Sequence, residues 1–196
     1  MRPPPAGFSD YDFSAPLDEE ELLNTARPFT VKGIALRSLS KEAEAQGRPL
    51  PGVPSYVAFK DYPTREHLAL LFRTAHHLYP ELPIREAMRR LGHRVYGSLL
   101  ESMVGRALFG LPGMRVENLM KLIPRAYSLM ASGSQVSLLS STNDSALFSF
   151  RNFPVDLNSF DIGVFEGGFV AREKRCEVYL KKVAFGDGDL FCTWED

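Results

Sequence analysis

FKDYPTREHLALLFRTAHHLYPELPIREAMRRLGHRVYGSLLESMVGRALFGL, residues 59–111, decides the fold class of this chain. Pro63 can occupy a first helical turn, where its missing N–H costs nothing. After it, Leu68, Leu71, Ala75 and Leu78 recur at helical spacing and form one apolar stripe. Pro80 and Pro83 end that helix. A second begins near Ile84, with the stripe Ile84, Met88, Leu91, Val95 and Leu99, and is expected to continue to Leu108. Gly92, Gly97 and Gly105 each weaken such a helix by roughly 1 kcal/mol relative to Ala, so close packing against a neighbouring element is expected to explain them. These residues describe a scaffold of amphipathic helices and carry no recognisable catalytic motif.

On the N-terminal side, residues 1–16 hold Pro3, Pro4, Pro5, Gly7 and Pro16. That composition buries too little apolar area to offset its ordering entropy, and a flexible tail is expected. From Leu17 the run DEEELL suggests a short helix with acidic residues in its first turn, where they complement the helix dipole. Residues 30–36 fit helix or strand. Residues 35–46 read as a helix ended by Gly47, and RPLPGVPS, residues 48–55, as a loop. Lys60, Asp61 and Tyr62 form a polar turn, with Asp61 expected to cap the next helix.

On the C-terminal side a third helix is expected over residues 115–130, kinked or divided by Pro124. Beyond Gly133 the pattern changes period. QVSLLSS and ALFSFRNF alternate in the manner of strands around Thr142, Asn143 and Asp144, which predicts a hairpin. A helix over 160–171 follows, despite Gly163, Gly167 and Gly168. Residues 176–184 and 189–194 then flank FGDGD, a second hairpin signal in which Gly186 and Gly188 can take positive φ. Helices first and an antiparallel sheet last give an α+β fold, one domain over residues 17–196. No internal repeat is visible.

The 196 residues carry 23 basic and 24 acidic side chains, a net charge of -1, which argues against the electrostatic footprint of a nucleic-acid binder. Hydrophobic content of 44% and charged content of 24% are those of a globular protein. The N-terminus shows no export signal and no window resembles a membrane span, so cytoplasmic placement without membrane insertion is the default expectation.

Candidate chemistry is thin. On a helix, His67 and His77 would stand about 15 Å apart, and adjacent His76 and His77 splay by about 100°, so neither pair shares a metal. His67 flanks the Leu68 stripe and is expected at the edge of a core. Cys176 and Cys192 fall on the two strands of the last hairpin. Two thiols without a third ligand make half a zinc site, and buried, inert thiols are the expectation. Arg85, Arg89, Arg90, His93 and Arg94 form the densest basic cluster. Arg85, Arg89 and Arg94 are the candidate contacts for an anion or partner, although Glu86 stands i+4 from Arg90 and suggests a solvated, ion-paired helix face. Glu166 is the one carboxylate to test in a pocket; an exposed helix position is its simpler reading. No nucleophile–base pair, phosphate loop or paired carboxylates stand out, so no catalytic residue, metal or cofactor is assigned.

Taken together, VKGIALRSLSKEAEA, FKDYPTREHLALL, IREAMRRLGHRVYGSLLESMVGRALFGL, AYSLMASG, FDIGVFEGGFVA and the terminal CTWED resemble a family of uncharacterised proteins of about this length with many myxobacterial paralogues. More distantly, RRLGHRVYGSLLESM and GVFEGGFVAREKRCEVYLKKVAFGDGDLFCTW are similar to the vinyl-reductase-like domains, relatives of the haem nitric-oxide sensors and of a vesicle-tethering subunit with an acyl-binding pocket. That resemblance implies helices packed on a C-terminal antiparallel sheet around a hydrophobic cavity. Its lining here would come from Leu91, Val95, Leu99 and Met103 on one side and Phe165 and Phe169 on the other. Haem itself is not expected, because the sensors' Tyr-x-Ser-x-Arg signature is missing and neither His67 nor His93 aligns with their iron ligand. The function this implies is a non-enzymatic module that binds a small hydrophobic or amphipathic ligand for sensing or regulation. The alternative is a protein-interaction module in which the helix over 84–108 packs against a second copy or a regulatory partner. An enzyme using Glu166 with Arg89 ranks last.

Overall fold

A computed structural model describes residues 1–101, 114–153, 159–184 and 186–195, without the side chains of 98–101. Gly105, Met103 and the expected end of the second helix at Leu108 lie outside the described residues, as does the side chain of Leu99.

Helix α1 (Glu19–Thr25) begins where the acidic run places it. The Asp18 side chain accepts from Glu21 N–H at 2.8 Å, and Glu19, Glu20 and Glu21 fill the first turn. The ambiguous stretch resolves into strand β1 (Thr30–Lys32) running directly into α2 (Gly33–Ala45). Gly47, at φ 69°, closes α2 as a left-handed C-terminal residue. Strand β2 (Asp61–Pro63) pairs antiparallel with β1 and leads into α3 (Thr64–Leu78). Asp61 is therefore not a cap. Its carboxylate meets Lys32 Nζ at 2.8 Å across the β1–β2 ladder, while Pro63 ends β2 and stands just before α3, outside its first turn and with no side-chain cap. The ladder claims the carboxylate because Lys32 stands directly opposite in register, a cross-strand pairing that sequence spacing does not reveal.

Helix α4 (Ile84–Glu101) carries the stripe read from the sequence, with Met88, Leu91 and Val95 buried to within 1%. Helix α5 (Val116–Met130) runs through Pro124 as one element. The two hairpins form one antiparallel sheet from β3 (Gln135–Ser141), β4 (Ser145–Arg151), β5 (Arg175–Ala184) and β6 (Asp187–Glu195), in the order β3-β4-β6-β5. Gly186 takes φ 73° in the β5–β6 turn, whereas Gly188 pairs with Lys182 inside the ladder and needs no special conformation. Helix α6 (Ser159–Val170) crosses between β4 and β5. The architecture is α+β: α5 and α6 lie against the C-terminal antiparallel sheet, and α4, packed on α6, joins them to α2 and α3.

That inner face follows from strand alternation. Ala146, Phe148 and Phe150 of β4 and Leu190, Cys192 and Trp194 of β6 are all buried and join Leu91, Val95, Phe165 and Phe169 in one core cluster. Among the described residues no helix is long and apolar enough to cross a membrane.

Candidate functional site

Helix α6 is apolar on nearly every face, which is the pattern of a helix buried on all sides. It lies between α4 and the sheet. Against the sheet it presents Phe165, whose ring centroid is 5.4 Å from that of Phe148 and 6.4 Å from that of Phe150. It also presents Phe169, 5.3 Å from the Trp194 ring. These edge and tilted geometries are the preferred ones for aromatic pairs.

Against α4 it presents backbone. A Cβ on Gly163 would overlap the Arg89 carbonyl oxygen, one on Gly167 the His93 carbonyl, and one on Gly92 of α4 the Phe160 carbonyl. The helices touch main chain to main chain, and three glycines on two elements make that approach possible. Close packing is thus the reason for Gly92, as the sequence suggested. Gly97 is different: it is exposed, and among the described residues nothing lies within 4 Å of the space its Cβ would take. The glycine face of α4 that carries Gly92 is occupied within the chain, so it is not the face a second copy would meet.

Of the six residues expected to line a cavity, the structure brings Leu91, Val95, Phe165 and Phe169 into one buried cluster, each 5% exposed or less. Tyr127 of α5 completes this region. Its ring stands edge-on to Phe150 at 5.5 Å and 5.7 Å from Phe153, and its hydroxyl donates to Asp161 Oδ1 of α6 at 3.1 Å. Burial, then the neighbouring Asp161 charge, pushes the phenol well above its ordinary value of 10. Sequence reasoning missed this pair. The residues are 34 apart with no motif between them, and the only signal is a Tyr and an Asp on otherwise apolar helix faces.

Glu166 is not the exposed position its simpler reading suggested. Only 16% of its side chain is accessible, and Arg89 grips it with two charge-assisted hydrogen bonds, Nε to Oε2 at 2.8 Å and Nη2 to Oε1 at 2.9 Å. The exposed position fails because Gly163 and Gly167, four residues apart on α6, draw α4 so close that the guanidinium covers the carboxylate. Arg90 keeps the expected i, i+4 pair with Glu86 at 3.1 Å, and Arg94 is exposed. Arg85 and Arg89 do not form a bare solvated face: Arg85 donates to the Tyr11 hydroxyl and the Ala15 and Pro16 carbonyls, and Arg89 lies 4.6 Å from the centre of the Phe13 ring.

The histidines are dispersed. His76 bonds Glu19 at 2.8 Å and His77 the Arg48 carbonyl at 3.0 Å, while His93 sits at the α4–α6 contact. His67 is partly covered, with its ring 6.3 Å from Phe160; the surrounding protein pushes its imidazole down to about 4, so it is neutral. Cys176 and Cys192 share the inner face of the last hairpin but stand diagonally, paired with Trp194 and Val178 respectively. Cys192 Sγ is 3.9 Å from Met120 Sδ and 3.7 Å from the Ala146 carbonyl, and burial pushes the Cys176 thiol up to about 12. Both thiols are free. Among the described residues no three His, Cys, Asp or Glu side chains gather where they could hold a metal ion.

Comparison with solved structures finds the same fold in H-NOX proteins. The unliganded Fe(II) H-NOX protein from K. algicida superposes with TM-score 0.58 at 15% identity, over 84% of this chain and 97% of that one. An H-NOX protein from S. oneidensis in the Fe(II)NO ligation state gives 0.58 at 14% identity, over 84% and 99%. A mutant of an S. oneidensis H-NOX protein, in the Fe(II) ligation state, gives 0.65 at 14% identity, over 84% and 96%. Likeness at this identity establishes the fold. No curated protein matches the chain. The profile of the family described as Protein of unknown function (DUF2378) matches residues 25–192, and the chain belongs to that family.

Proposed function

We propose that the chain is a non-enzymatic sensory module that takes up a small apolar or amphipathic molecule between α4, α6 and the inner face of the sheet, and reports it through a protein contact. Several of the H-NOX structures that share the fold are in Fe(II) states, and another concerns haem distortion in that family. The residues here do not fit haem. All four histidines lie on α3 and α4, and α5, α6 and the sheet carry none. Where the helical layer meets the sheet, the rings of Phe148, Phe150, Phe165, Phe169 and Trp194 stand in direct contact instead of flanking a flat slot.

The observation that carries the reading is the Tyr127–Asp161 hydrogen bond set into that aromatic cluster. It offers an amphipathic ligand one polar end inside an otherwise greasy region, the usual composition of a small-molecule site. Apolar contact would supply roughly 25 cal/mol per Å² removed from water before ordering costs. The test is mass spectrometry of an organic extract of the purified protein, with a thermal-shift screen of fatty acids, quinones and other hydrophobic metabolites. A ligand confined to the folded state raises the melting temperature, and Tyr127→Phe is expected to blunt that rise. An empty extract together with no stabilising compound rejects the reading.

A further inference from the structure

Residues 1–16 form an extended strap that follows the outside of the sheet, turns round its β5 edge and continues along α4. The Arg2 N–H donates to Thr193 Oγ1 at 2.9 Å, and the Phe8 ring stands edge-on to Phe191 at 6.2 Å. Ser9 and Leu180 exchange both backbone hydrogen bonds at 3.0 Å each, so the strap adds one antiparallel rung to the sheet's edge strand. Beyond that rung Tyr11, Phe13 and Ala15 are partly covered, while Asp10, Asp12 and Ser14 face solvent, the alternation of an extended chain lying on a surface. Arg85 lies 5.5 Å from the centre of the Tyr11 ring and Arg89 lies 4.6 Å from that of Phe13.

Three features separate this segment from ordinary core. None of its residues is buried, yet beneath it Phe191 is 5% exposed and Thr193 is 0% exposed on the outer face of the sheet. The seat carries cations, Arg85 and the ion-paired Arg89 on α4 and Lys181 on β5 against Gly7, and, after the Ser14 hydrogen bonds, the Arg85 charge helps hold the solvent-facing Asp12 carboxyl of the strap low. Its attachments are also of the kind by which proteins capture extended peptides: an edge-strand rung, an aromatic anchor and cation–aromatic contacts.

We infer that the seat formed by the β5 edge, Phe191, Arg85 and Arg89 is a docking site for an extended acidic-aromatic peptide of a partner protein, and that the strap is its built-in occupant. The strap sequence FSDYDF is the template for the partner's chemistry: alternating aromatics to cover the arginines, and carboxylates between them. Tethering gives the strap a millimolar effective concentration, so a partner must outcompete it and the free protein is held closed. No residue of the aromatic interior enters this inference, so it stands or falls separately from the ligand reading.

The test uses the full chain and a fluorescent peptide of the sequence AGFSDYDFSAP. A strap variant, Phe8→Ala with Tyr11→Ala and Phe13→Ala, is expected to bind the peptide about tenfold more tightly than wild type, because the internal competitor is loosened. Adding Arg85→Ala and Arg89→Ala to that variant abolishes the gain, and a scrambled peptide does not bind. In wild type, millimolar peptide is expected to accelerate hydrogen exchange across residues 1–16 while β6 stays protected. Unchanged exchange in wild type overturns the inference, whether or not the strap variant folds. So does equal binding of the scrambled peptide.

Discussion

Gly163 of α6 lies so close to the Arg89 carbonyl of α4 that a single added methyl group would overlap it, and the neighbouring atoms are main chain that cannot turn aside. Gly163→Ala is therefore expected to cost about 3 kcal/mol, the upper end for overpacking a core. Gly97→Ala, four residues beyond His93 on an open part of α4, is expected to stabilise by about 0.5–1 kcal/mol through helix propensity and unfolded-state entropy. Urea unfolding of the two variants side by side checks the contrast. If Gly97→Ala instead weakens the protein and shifts its oligomeric state with dilution, the open face belongs to a second copy.

Removing the Tyr127 hydroxyl leaves a buried carboxylate short of a donor. Tyr127→Phe is expected to cost about 1–2 kcal/mol, whereas Asp161→Asn, which preserves an acceptor, costs less. Spectrophotometric titration gives a second readout. Burial holds the Tyr127 phenol up, and Tyr56, Tyr96 and Tyr179 are raised as well, so the tyrosines ionising below the alkaline unfolding transition should be fewer than in the unfolded chain, and Tyr127→Phe should leave that native count unchanged.

His67 sets an acid limit. Its imidazole is held at about 4 in the folded chain against an ordinary 6.5, so between those values the unfolded chain binds a proton that the native chain refuses. Stability is expected to be complete above pH 6.5 and to fall as pH drops toward 4. The loss is about 2 kcal/mol, less than full conversion of the shift because the ring is partly open to solvent. The exposed carboxylates that are held low, Asp12, Asp61, Asp144 and Glu195, act in the same direction but from their lower ordinary values, so the two windows separate. Denaturant midpoints of wild type and His67→Gln across pH 4–7 should diverge only within the histidine window.

The thiols should be inert. With Cys176 held at about 12 and Cys192 buried, the thiolate fraction of each near neutral pH is expected to be at least about a hundredfold below that of a free cysteine. Labelling by a disulfide reagent should then proceed at the rate of unfolding, and a fast-reacting thiol in the native protein would contradict this.

Arg89 of the Arg89–Glu166 pair is 36% exposed, so the coupling is expected to be about 1 kcal/mol in a double-mutant cycle of Arg89→Ala and Glu166→Ala, shrinking with salt.

The helices and strands were legible because periodicity reports them directly. The stripes Leu68–Leu71–Ala75 and Met88–Leu91–Val95 bury the face their spacing indicates, and the alternation in QVSLLSS partly covers Val136 and Leu138 while Leu139 stays exposed. Pairings between distant segments were not. Asp61 with Lys32, Tyr127 with Asp161 and Arg89 with Glu166 span 29, 34 and 77 residues, and nothing local distinguishes such a side chain from one that faces solvent. The seating of residues 1–16 is not legible in the sequence for a related reason: their own burial is slight, as their composition implies, and the buried surface belongs to Phe191 and Thr193 underneath. At the site, apolar membership was readable for Leu91, Val95, Phe165 and Phe169, while the polar end beside them was invisible until the fold brought α5 to α6.

The three glycine contacts also bear on how this molecule can move. Because Gly92, Gly163 and Gly167 key each helix into carbonyls of the other, α4 and α6 cannot slide by a residue without driving a side chain into backbone. The two behave as a single beam. A displacement of α6 would therefore carry α4 with it as a tilt of the whole beam, and with α4 the Arg85 and Arg89 side chains that hold the strap.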